Sequence, residues 1–192
     1  MTATAPVPTL NVANALTVLR LLLVPVFLVL LLRDGDASRW GALCVFLVAA
    51  WTDRIDGSIA RSRGLVTRFG SIADPLADKA LTGAALVGLS ALGELSWWVT
   101  AVVMVREIGV TVLRAVLVRH GDLPVSRGGK WKTALQGLAI GLYVVPEDLG
   151  PVPELVMALA VAVTVVTGVD YVVQARRLRA GSARTAGRRG AS

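Results

Sequence analysis

Six apolar stretches follow one another along almost the whole chain, at roughly 13–32, 39–61, 71–92, 96–119, 131–146 and 152–176. Breaks rich in Gly, Pro and Asp divide them: Asp34-Gly35-Asp36, Gly64, Gly93, Gly121 to Gly129, and Pro146 to Pro153. A helix needs about 20 mostly apolar residues to cross the hydrocarbon of a bilayer. All but the stretch at 131–146 reach that length, and its start can be drawn back to Arg127. Charged residues make up 17% of the chain, against about 25% in soluble domains. That is too little polar surface to cover a water-soluble globule. The expectation is an all-α integral membrane protein with six transmembrane helices. Residues 1–179 form one domain, and an Arg-rich tail over 180–192 is expected to be disordered or to lie on anionic lipid.

Charge alternates between the connections. Loop 33–38 and the turns near 93–95 and 147–151 hold almost no bases, whereas the opposite set holds Arg63, Arg68, Arg119, Arg127, Lys130, Lys132 and the tail. Basic loops stay in the cytoplasm, which places both termini and these loops there. No Lys or Arg precedes Arg20, so the charged start of a cleavable secretory signal is missing. The one cysteine, Cys44, cannot form an internal disulfide, and the one histidine, His120, excludes chemistry built on a histidine pair. No nucleic-acid partner is expected.

A charge inside an apolar helix costs at least ~2.5 kcal/mol on insertion scales, so it marks function by default. The second span runs inward and carries Asp53, Asp56 and Arg61 at its cytoplasmic end; the third begins with Asp74 and Asp78. The first begins with Asn14, Thr17 and Arg20, the fourth ends with Arg106 and Arg114, and the fifth begins with Lys130, Lys132 and Thr133. Topology alone brings all five groups to the cytoplasmic third, where the active site is expected. Asp53 and Asp56 are three apart, and Asp74 and Asp78 four apart, so each pair shares a helix face. Two such pairs facing each other make a cage of carboxylates that cannot all stay ionised without cations. Oxygen donors without His or Cys suit Mg²⁺, Mn²⁺ or Ca²⁺, and two divalent ions balance four negative charges. Gly57 and Ala60 share the Asp53 face. They suit either close approach of a bulky ligand or a small-residue packing seam. Pro75, directly after Asp74, fits the first turn of the third helix, where a missing N–H is harmless, or a kink.

Written out, Asp53-x2-Asp56-Gly57-x2-Ala60-Arg61-x8-Gly70-x3-Asp74-x3-Asp78 resembles the complete signature of the CDP-alcohol phosphatidyltransferase family. The resemblance extends to Asn11-Val-Ala-Asn14-Ala-Leu-Thr17-Val-Leu-Arg20, to Arg106-Glu107 with Arg114, and to Gly129-Lys130-Trp131-Lys132-Thr133 with Gln136. These segments are similar to those of bacterial members that use glycerol 3-phosphate as acceptor. The likeness covers roughly residues 10–146.

The resemblance implies a set of roles. Asp53, Asp56, Asp74 and Asp78 ligate two divalent ions, usually Mg²⁺, with Mn²⁺ as an alternative, and Asp78 doubles as general base. Gly57, Ala60, Arg61 and Thr67 contact CDP-diacylglycerol, with Asn14 and Thr17 beside the nucleotide. Arg106, Arg114 and Lys130 hold the acceptor phosphate. It further implies a homodimer in a bacterial plasma membrane. The chemistry is consistent with this on its own terms. A diphosphate leaving group needs cations, the attacking hydroxyl needs a base, and Arg binds oxyanions bidentately. Alternatives are an inositol phosphate or phosphatidylglycerol acceptor, or, outside the class, a divalent-cation transporter. Structural roles compete for several residues. Arg106 and Arg114 suit buried partners for Glu107, Lys130 and Lys132 suit snorkelling anchors, and Arg20 suits a partner for a cage carboxylate. Asp170 is expected to pair with an Arg near the tail. Trp51, Trp97, Trp98 and Trp131 suit interfacial anchors.

Overall fold

The computed structural model describes the backbone of residues 12–62, 68–117 and 127–189, and the side chains of 14–52, 73, 75–113 and 131–175. It contains six helices: α1 (Val12–Leu31), α2 (Asp36–Ser62), α3 (Arg68–Ala91), α4 (Trp97–Leu117), α5 (Arg127–Val144) and α6 (Val152–Arg189). The first five fall close to the expected bounds, and α5 takes the earlier of its two starts. Among the described residues two helices, α1 and α6, are long and apolar enough to cross a membrane.

The connections α1–α2, α3–α4 and α5–α6 are tight, and each carries a glycine of positive φ: Gly35, Gly93 and Gly150. Gly93 shows why. The Gly93 N–H donates to Ser90 O at 3.1 Å and the Glu94 N–H to Leu89 O at 3.0 Å. This pair of bonds is a Schellman ending, whose central residue must be left-handed. At 77° the Gly93 φ meets that demand without a Cβ penalty.

Two sequence expectations change. Pro75 lies two turns inside α3 rather than in its first turn, because α3 begins at Arg68. It therefore removes the N–H that would reach the Ser71 carbonyl. Where the sequence leaves the tail from 180 either disordered or lying on anionic lipid, α6 continues through it to Arg189; Ala and Arg are strong helix formers, and no Pro interrupts them.

The chain packs as two compact units, Met1–Ser96 with Ile140–Gly150, and Trp97–Ala139 with Pro151–Ser192. In the first, α1 packs on α2 and α3, and α2 on α3. The buried stripe of α1 reads Asn14, Thr17, Arg20, Phe27 and Leu31. Its spacing of three, three, seven and four residues is that of one helical face, polar over the first two turns and apolar above. Phe27 meets Phe46 of α2 with ring centroids 5.8 Å apart. Arg39 at the start of α2 donates to Glu94 at 2.6 Å and to the Tyr143 carbonyl at 3.3 Å. In the second unit α4 packs on α6, which buries Met157, Ala160, Thr164, Tyr171 and Ala175.

The outward faces are apolar. Val18, Leu19, Leu22, Val26 and Val29 of α1 are exposed, as are Leu155, Leu159, Val165, Val166 and Val169 of α6. Only 28% of the apolar window of α1 and 22% of that of α6 are buried. A core helix of a soluble domain would bury most of such a run, so these surfaces need an apolar medium.

α3 comes close to α1 at Gly88, where an added Cβ would stand 2.7 Å from Leu31 Cδ2 and 3.2 Å from Leu28 Cδ2. Gly88→Val is therefore expected to destabilise the folded protein by about 1–3 kcal/mol through overpacking. Thermal unfolding in detergent checks this; an unchanged midpoint would show that the leucines yield freely.

Candidate active site

The signature residues divide between two adjacent helices of the first unit. Asp53, Asp56, Gly57, Ala60 and Arg61 fall on α2, and Asp74 and Asp78 on α3. Helical spacing holds throughout, so each aspartate pair shares a face. The side chains of Asp53, Asp56, Gly57, Ala60, Arg61 and Asp74 lie outside the described residues, as does Thr67 entirely. Asp78 is half-buried. As a donor set, four carboxylates on neighbouring helices fit hard divalent cations.

α1 contributes the polar end of its buried stripe. Asn14, Thr17 and Arg20 are all buried, Arg20 with only 1% of its surface exposed. Asparagine and threonine offer hydrogen bonds where a lone apolar face would offer none. An arginine this deep needs a carboxylate or equivalent partner to offset its desolvation. The helices on which α1 packs are those that carry the aspartates.

In the second unit a basic cluster forms around one carboxylate. Glu107 of α4 accepts from Arg106 Nη1 at 3.1 Å and from Lys132 Nζ of α5. Arg106 Nη2 donates to Thr167 Oγ1 of α6 at 2.9 Å. Lys132 is 5% exposed, which sets aside the competing role of a snorkelling anchor. It is drawn inward to the half-buried Glu107 carboxylate, which offsets part of its desolvation. Among the described residues, two cations face this one carboxylate. The Arg106 Nε is buried and has no hydrogen-bond partner among the described residues. The structure thus gives Arg106 a carboxylate partner without using up its donors.

Arg114 and Lys130 fall on α4 and α5, with side chains outside the described residues. So does the Arg114 pairing with Glu107. His120 lies outside them altogether. Asp170 accepts from Gln174 Nε2 one turn on, at 2.8 Å; the tail arginines with which it is expected to pair have side chains outside the described residues. Trp51, Trp97, Trp98 and Trp131 are all exposed.

The sequence reading missed Lys132 as a buried partner and Thr167 altogether. One signal was present. Thr164, Thr167, Gly168 and Tyr171 recur at three- to four-residue spacing in an Ala- and Val-rich run, and polar or small residues so placed mark a helix-packing face.

Residues 10–166 match the CDP-alcohol phosphatidyltransferase family. The chain is similar to a Mycobacterium tuberculosis protein named "Probable phosphatidylglycerophosphate synthase", with 51% identity over 182 residues, 92% of this chain and 87% of the relative. It is similar to the CDP-diacylglycerol–glycerol-3-phosphate 3-phosphatidyltransferase of Bacillus subtilis, with 37% identity, 84% of this chain and 93% of the relative. A Rickettsia typhi protein of the same name is 33% identical, over 84% of this chain and 94% of its own length.

Glu107→Ala would leave Arg106 and Lys132 facing each other without their shared carboxylate. The expected loss of stability is about 3 kcal/mol, as for other buried pairs deprived of one partner. Adding Lys132→Met should recover part of it. Denaturation in detergent measures both variants, and wild-type stability of the single variant would show that the cluster is solvated rather than buried.

Proposed function

The chain belongs to the CDP-alcohol phosphatidyltransferase family, and we propose that it transfers the phosphatidyl group of CDP-diacylglycerol to glycerol 3-phosphate. The products are phosphatidylglycerophosphate and CMP. What carries this reading is the similarity to synthases of that name along nearly the whole chain. The basic cluster at Arg106 supports it, since a phosphorylated acceptor needs such a partner.

The acceptor hydroxyl attacks the β-phosphorus of CDP-diacylglycerol. A new phosphorus–oxygen bond forms, the bond to the bridging oxygen breaks, and CMP leaves with that electron pair. The hydroxyl proton passes to Asp78, the general base. Two divalent ions, Mg²⁺ or Mn²⁺, held by Asp53, Asp56, Asp74 and Asp78, would neutralise charge on the diphosphate. Asn14, Thr17, Gly57, Ala60, Arg61 and Thr67 bind the CDP-linked lipid; the burial of Asn14 and Thr17 supports their part in this. Arg106, Arg114 and Lys130 hold the phosphate of the acceptor, and the surplus positive charge around Glu107 favours an anion there.

The enzyme works in a bacterial plasma membrane as a homodimer, with six spans, both termini cytoplasmic and its chemistry in the cytoplasmic third. Residues 1–179 form the catalytic domain and the Arg-rich end lies against anionic lipid. The exposed apolar faces of α1 and α6 and the basic connections support this placement. A bare cation path has no use for buried arginine and lysine beside its carboxylates.

CMP release from CDP-diacylglycerol with Mg²⁺ tests the reaction, with glycerol 3-phosphate, inositol phosphate and phosphatidylglycerol as rival acceptors. Release is expected with glycerol 3-phosphate alone; another acceptor would reassign the substrate, and none at all would reopen the transporter reading. Asp78→Asn should abolish turnover in protein that still folds, and wild-type turnover would remove Asp78 as base. Arg114→Ala should raise the acceptor KM by roughly tenfold or more. A change confined to the CDP-diacylglycerol KM would move Arg114 out of the acceptor set.

A further inference from the structure

We propose that α6 sets the facing of the Arg106 guanidinium, through the Thr167 hydroxyl and the missing side chain at Gly168, and so tunes how tightly the acceptor phosphate is held. This rests on the assignment of Arg106 to the acceptor phosphate. Both α6 residues lie just beyond the 10–166 span matched by the family.

The Thr167 hydroxyl carries one proton, and its own helix takes it. Oγ1 donates to the Val163 carbonyl at 2.7 Å, with the Thr164 carbonyl at 3.1 Å. A hydroxyl normally rotates to suit its neighbours. This one is committed, so toward Arg106 Nη2, 2.9 Å away, it can only accept. The guanidinium therefore meets a fixed acceptor rather than an adaptable group.

Gly168 holds the other end. A Cβ there would stand 3.1 Å from Arg106 Cγ and 3.7 Å from its Nε. The arginine stem thus lies across α6 at a residue without a side chain. Arg106 is held along its stem by Gly168 and at its tip by Thr167 on Nη2 and Glu107 on Nη1. The Nε–H remains, buried and without a hydrogen-bond partner among the described residues. A buried unmet donor is costly. Beside a surplus positive charge it is a donor that an oxyanion completes. Nε and a neighbouring Nη present the planar fork that matches phosphate oxygens. Thr167 and Gly168 are positioning residues, acting on the acceptor only through Arg106.

Steady-state kinetics of the full-length protein in detergent, with CDP-diacylglycerol and glycerol 3-phosphate varied separately, tests the proposal. Thr167→Val keeps the shape and removes the acceptor oxygen. It should raise the glycerol 3-phosphate KM by about tenfold, leaving kcat and the CDP-diacylglycerol KM within about twofold. Thr167→Ser, which keeps the oxygen, should restore the wild-type KM. Gly168→Ala, which presses on the stem, should shift the same constant in the same direction and serves if the valine variant fails to fold. In an Arg106→Gln background Thr167→Val should add nothing. An unchanged acceptor KM in Thr167→Val, or an equal rise in Thr167→Ser, would overturn the positioning role. If Arg106→Gln raises the acceptor KM and neither α6 variant does, only that role falls. If Arg106→Gln itself leaves the acceptor KM unchanged, the assignment of Arg106 falls and the positioning role with it.

Discussion

A half-buried carboxylate between two cations, Glu107 between Arg106 and Lys132, ties the second unit together. Glu107 and Arg106 stand on α4, Lys132 comes from α5, and Arg106 passes the contact on to Thr167 of α6. Helices with apolar outer faces gain little from one another by apolar contact alone when their surroundings are also apolar. Polar groups that have nowhere else to go then fix which faces meet. The same pressure arranges the first unit differently: α1 turns Asn14, Thr17 and Arg20 inward and leaves its valines and leucines outside.

Structure and function draw on the same groups here. Among the described residues Glu107 faces two cations, so the cluster holds the helices and, in the proposed function, keeps positive charge for the phosphate of the acceptor. Charge arranged before the ligand arrives needs little reorganisation when it binds. Arg106 illustrates the compromise. One Nη is given to a carboxylate and the other to a neutral hydroxyl, while the buried Nε stays available. A second carboxylate in place of Thr167 would hold the arginine harder and cancel the surplus charge.

Much of this was legible in the residue order. Helix ends followed from Gly, Pro and Asp at the breaks, since left-handed turns and missing N–H groups act locally. The left-handed φ of Gly93 and the helix start at Arg127 are both of this local kind. The aspartate signature was legible because helical spacing alone fixes which carboxylates share a face. Lys132 was left open between an inward-facing charge and an anchor because a lysine near a helix start looks the same whether it reaches for water or for a glutamate on another helix. Thr167 was passed over because a hydroxyl in an apolar run also bonds to its own helix, and it does so here.

The sequence by itself determined the six helices, the alternation of basic connections, the carboxylate spacing and the family, because each is set by short-range periodicity or by a local pattern of residue types. Only the tertiary structure decided what Arg106 and Lys132 are paired with, how closely α1 meets α3 at Gly88, and that α6 bears on Arg106. The Arg106–Thr167 contact joins residues 61 positions apart. Their partners are chosen by which helix faces pack, and no local spacing in the chain encodes that choice.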